Sequence, residues 1–80
     1  MALVIFSSEL QRVTREASAE INANNYQRLI IELERRFPSL TAEQLMNMSV
    51  AIDGDIVHAP LLEKLSPDSE VHFLHRISGG

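Results

Sequence analysis

The chain opens on a continuous apolar run, Met1 to Phe6, rich in residues that favour extended backbone. It reads as a central strand, with Leu3 and Ile5 on one face and Val4 and Phe6 on the other. Ser7 to Glu16 is polar and predicts the connection of a hairpin. Ala17 to Asn22 alternates weakly and predicts a short second strand. At Asn24-Asn25 the chain offers a helix cap, because an Asn side chain accepts from the free amides of a first helical turn. From there the period changes. Tyr26, Leu29, Ile30, Leu33 and Phe37 recur at steps of three and four, which places them on one stripe of an amphipathic helix. Arg28 with Glu32, and Glu32 with Arg36, stand four apart on the wet side. Pro38 ends the helix, and Ile31 is an apolar residue off the stripe.

Thr41 to Asn47 reads as a short helical turn or an irregular connection. Met48 to Asp53 predicts a third strand, Asp53-Gly54 a tight turn, and Ile56 to His58 the returning fourth strand. Ala59-Pro60 breaks the pattern, and Leu61, Leu62 and Leu65 predict a helical turn closing the core. Ser66 to Ser69 has turn chemistry. Val71 to Ile77 alternates as a last strand, with Val71, Phe73, His75 and Ile77 on one side and His72, Leu74 and Arg76 on the other. The expected fold class is α+β, a mixed sheet packed against one main helix. The expected organisation is a folded domain over 1–77 and a flexible Gly-Gly tail over 78–80.

Eighty residues bound this to a single domain with one modest core. With no cysteine, that core holds without disulfides or a thiolate zinc site. The net charge is -4, and the seven basic residues are dispersed, with Arg12 and Arg15 expected in a loop. The basic stripe that a nucleic acid needs is missing. No apolar run has the length of a membrane span, and no basic residue precedes the apolar start as it would in a signal peptide. The cytoplasm is therefore the expected location. Among His58, His72 and His75, alternation puts the last two on opposite strand faces, so no metal site is expected. Asp53 and Asp55 are explained as turn residues. No nucleophile-base pair or phosphate-binding loop is present, and the chain is not expected to be an enzyme.

Three segments carry a family resemblance. Val71-His72-Phe73-Leu74-His75-Arg76-Ile77-Ser78-Gly79-Gly80 is an apolar alternation that runs into Gly-Gly. Val50-Ala51-Ile52-Asp53-Gly54-Asp55 is a strand entering a turn, and Ser66-Pro67-Asp68-Ser69-Glu70-Val71 is the approach to the last strand. Together with the order of elements they resemble the ThiS/MoaD family of sulfur carriers, which have the ubiquitin-like β-grasp fold. His75-Arg76 replaces the proline-containing pair that this family often carries.

The resemblance implies a carrier with no stably bound cofactor. A ubiquitin-activating-type adenylating enzyme would use ATP to activate Gly80, and sulfur delivery would leave a thiocarboxylate there. Gly79 would give clearance in a narrow channel, since glycine has no side chain to clash. It also implies that the sheet face away from the helix contacts partners, with Phe6, Ile56 and Leu74 as the expected contacts. The length is nearer to the molybdopterin-synthase small subunit than to the shorter thiamine carrier, which implies a larger synthase subunit as a second partner. Two other functions fit the same tail: a ubiquitin-like modifier joined through Gly80 to target lysines, and an interaction domain whose Gly-Gly has no chemical role.

Overall fold

The computed structural model describes residues 1–58, 60 and 63–74. Their elements, in chain order, are β1 (Ala2–Ile5), α1 (Ser8–Thr14), β2 (Ser18–Ile21), α2 (Tyr26–Arg36), α3 (Ala42–Met46), β3 (Ser49–Ile52), β4 (Asp55–Val57) and β5 (Glu70–Leu74). The strands form one sheet in the order β2-β1-β5-β3-β4. β1 pairs antiparallel with β2 and parallel with β5, while β3 pairs antiparallel with both β4 and β5. This is the expected α+β, ubiquitin-like β-grasp arrangement, with α2 laid across one sheet face.

The main helix forms for the reasons its sequence gives. The Asn25 side-chain oxygen accepts from the Arg28 N–H at 2.7 Å, capping the first turn. Tyr26, Leu29, Ile30 and Leu33 are buried against the sheet, and Ile31 points outward. Phe37 stops the helix and is partly buried, its ring meeting Phe6 edge-on at 5.5 Å. Arg28 pairs with Glu32 at 2.9 Å as the spacing predicts. Glu32's other ionic partner is Arg35, and Arg36 instead donates to the Glu20 carbonyl on the edge strand β2.

The connection between β1 and β2 differs from the sequence reading, because it contains a helix. Ser7 caps α1 by accepting from the Leu10 N–H, and Leu10 and Thr14, one turn apart, are buried beneath it. Arg12 therefore lies on a helix. Arg15 ends it in the left-handed conformation, its N–H donating to the Gln11 carbonyl. The segment before β3 resolves into α3, capped by the Thr41 hydroxyl accepting from Gln44 N–H at 3.1 Å.

The β3–β4 turn is tied to β5. Asp53 and Gly54 both have positive φ, 52° and 88°, as a tight two-residue hairpin turn requires. The Asp53 N–H donates to the Glu70 carbonyl, and the Glu70 N–H donates to Asp53 Oδ1, each at 2.9 Å. Near the start of α2, Asn25 forms an isolated antiparallel bridge with Lys64, and Leu65 beside it is buried.

Candidate functional site

β5 occupies the middle of the sheet, hydrogen-bonded on one edge to β1 and on the other to β3. Its side chains divide by alternation as the sequence predicts. Val71 and Phe73 enter the core, while His72 and Leu74 face the other side. β5 delivers the chain to Leu74, which lies opposite Ser49 at one end of the sheet. Gly79 and Gly80, with the rest of 75–80, lie outside the described residues, as do Ala59, Leu61 and Leu62.

The sheet face away from α2 holds a cross-strand row: Ser18, Ile5, His72, Ala51 and Ile56 stand opposite one another in that order from β2 to β4. Leu74 adjoins the row on β5, Leu3 adjoins it on β1, and Glu20 and Glu70 flank Leu3. Ile56 and Leu74 are the large apolar residues most open to solvent in this row and beside it, at 60% and 38% exposure. They stand where the sequence reading puts them. His72 is partly buried between Ile5 and Ala51, and its Nε2 lies 2.9 Å from Glu70 Oε1.

Phe6 and Val4 do not belong to this face. Both are buried in the core, Val4 opposite Val71 and Phe6 against Phe37. The physical reason is register. Directly paired residues of neighbouring strands share a face, so Val71 in the core fixes Val4 there, and Phe6 follows two positions on. Both faces of β1 are apolar, and alternation alone does not say which looks inward. Ile5 therefore takes the place expected for Phe6. The pairing of Val4 with Val71 is the signal that would have found it.

His58 is exposed and His72 is engaged with Glu70, while His75 lies outside the described residues. Among the described residues no cluster of three or more His, Cys, Asp or Glu side chains is placed to hold a metal. No helix among them is long and apolar enough to cross a membrane. The arrangement is an apolar face with an acidic margin, set beside the strand that leads to Gly79-Gly80.

No curated protein sequence matches the chain. Among solved structures it is similar to SAMP1 from Haloferax volcanii, with a TM-score of 0.73 at 15% identity, over 99% of this chain and 98% of that one. The likeness is one of fold. Residues 4–80 match the ThiS family, a span that starts within β1 and continues through Gly80. The chain belongs to the ThiS family.

Proposed function

We propose that the chain is a sulfur carrier, activated in trans, whose Gly80 carboxylate is adenylated by a partner enzyme and converted to a thiocarboxylate. The observation that carries this reading is the family match running through Gly80, six residues along the chain from the end of a strand fixed at the centre of the sheet. A carboxylate resists nucleophiles because of its charge and its poor leaving group. Transfer of AMP from ATP gives a mixed anhydride that a sulfur donor can attack, with AMP leaving. The domain itself supplies docking and leaves the chemistry to its partners. Docking falls to Ile5, Ile56 and Leu74, with Glu20 and Glu70 on the margin favouring a partner surface that is apolar and rimmed by basic groups. The thiocarboxylate then donates sulfur to a cofactor or metabolite precursor, within a larger synthase subunit that takes up the tail.

The test is coexpression with a cognate adenylating enzyme and a sulfur donor, followed by intact-mass measurement and mapping of the C-terminus. Replacement of one oxygen by sulfur at Gly80 is the expected result, and deletion of Gly79-Gly80 should abolish it without unfolding the domain. A ladder of isopeptide-linked proteins would instead assign the modifier function. An unmodified Gly80, under conditions that load a known carrier, would leave only the interaction domain.

A further inference from the structure

The sheet ends in two edge strands, β2 and β4, whose outer backbone groups meet different surroundings. On β2, the Phe6 N–H donates to the Ala17 carbonyl. Ala17, Ala19 and Ile21 therefore bond toward β1, and alternation turns the Glu20 carbonyl outward. Arg36 covers that carbonyl, donating to it from Nη1 at 3.1 Å. An edge whose outward acceptor is taken, with a charged side chain laid over it, is closed to another strand. On the other side of the sheet, the Asp53 N–H bonds toward β5. Its neighbour Ile52 consequently bonds toward β4, where it pairs with Asp55 across the two-residue turn, and Val50 pairs in the same way with Val57. Ile56, opposite Ala51, is left with its N–H and its carbonyl both directed away from the sheet. Among the described residues nothing pairs with this outer side of β4, and Asp55, Ile56 and His58 are all exposed.

The geometry points to β4 as a self-pairing edge, joining β4 of a second copy antiparallel about a two-fold axis at Ile56. A bonded antiparallel pair takes one N–H and one carbonyl from each residue, which is what Ile56 has to offer. In this register Ile56 meets Ile56 of the second copy, and Asp55 meets Val57 of the second copy on the opposite face. No like charges are set against each other. Centring the pair on Asp55 would bring two carboxylates together, and the Asp55 and Val57 backbone groups are already spent on β3. Ile56 is therefore the residue on which a two-fold pairing can close. Alternation keeps both Ile56 side chains on the face away from α2. The row Ile5, His72, Ala51 and Ile56 then runs on, in reverse order, through the second copy. Each chain spends its open edge on the other and keeps a closed one, so assembly stops at two. With a strand of three residues the contact is small, and association depends on concentration. The pairing asks nothing of Gly80.

Sedimentation velocity of the full chain over a concentration series is the first measurement. The mass should rise from one chain toward two and go no further. Ile56→Pro removes the outward N–H and leaves the bonds to β3 in place, a substitution that an edge strand accepts. It should weaken the dimer by about tenfold or more, since both copies lose a donor. If circular dichroism shows that variant to be unfolded, Ile56→Lys replaces it, setting two like charges on the two-fold axis. Register is read by oxidation. The chain has no cysteine, so Ile56→Cys should give a disulfide-linked dimer readily, while Asp55→Cys, whose register partner is Val57 of the second copy, should do so far more slowly. Equal crosslinking of the two cysteine variants would overturn the inference, as would a dimer indifferent to both Ile56→Pro and Ile56→Lys, or a mass that climbs past two chains. A chain that stays single at every concentration would overturn it too. If an adenylating enzyme then shielded the Ile56 amide from hydrogen exchange, the edge would belong to a partner's strand. Sulfur loading at Gly80 is read separately, in the coexpression experiment, and stands or falls on its own.

Discussion

At the scale of single residues, the sharpest contrast is between Phe6 and the pair Ile56 and Leu74. All three are apolar strand or strand-end residues, and only burial separates them. Phe6→Ala removes a ring packed in the core and should cost about 3–5 kcal/mol of stability. Ile56→Asp and Leu74→Asp should leave the denaturation midpoint close to that of the natural chain while weakening adenylation of Gly80 at limiting enzyme. Chemical denaturation and a pyrophosphate-release assay read the two effects separately. Tyr26 gives a pH prediction. Burial against α2's sheet-facing contacts, with the Phe73 ring 6.2 Å away, pushes its phenol up from 10.0 to about 12. The folded state thus disfavours the tyrosinate. The stability this contributes is whole below pH 10 and is lost as pH rises from 10 toward about 12, by about 1.4 kcal/mol per unit. In Tyr26→Phe that part of the alkaline decline should disappear, as urea midpoints measured across this window will show.

At the scale of elements, the caps carry distinct and measurable weight. Asn25→Ala removes the acceptor for the Arg28 N–H and should destabilise the domain by about 1 kcal/mol. Gly54 sits at φ 88°, where a side chain is strained although nothing crowds the site. Gly54→Ala should therefore cost about 1–2 kcal/mol, read from thermal or urea unfolding. α2 and the Asp53-Gly54 hairpin were legible because each combines a period with a terminus signal: an apolar stripe after an Asn cap, and a positive-φ pair between two strands. α1 was not. Its seven residues offer only Leu10, Val13 and Thr14 to the interior, too short a stripe to stand out from a polar connection. Ser7 is a residue type that caps helices, but nothing else marks the run as one, and it ends at Arg15 without glycine, the usual sign of a left-handed stop.

At the scale of the whole molecule, the α+β class and the mixed sheet follow from the order of periods along the chain, whereas the central place of the last strand is set by its long-range pairing with β1 and β3. Facing is harder to read. A strand apolar on both faces, such as β1, carries no alternation that names its inner side, and only the long-range partner Val71 decides it. The same limit explains why Ile56 and Leu74 were placed correctly while Ile5 was passed over. Ile56 and Leu74 belong to strands with a polar or already assigned opposite face. Ile5 belongs to one without.

The position of β5 also has a consequence for how the molecule comes to exist. β1–β2 and β3–β4 are local hairpins, yet nothing in the strand order joins one to the other except β5, the last of the strands. A chain emerging in sequence can assemble two separate ribbons early, but the sheet closes only when its final strand arrives and pairs across more than sixty residues with β1. The segment that leads to Gly79-Gly80 is thus the keystone of the domain. A presentable terminus then reports that everything before it has been made and has folded, and an enzyme that docks on the assembled face would screen out unfinished chains without any separate inspection.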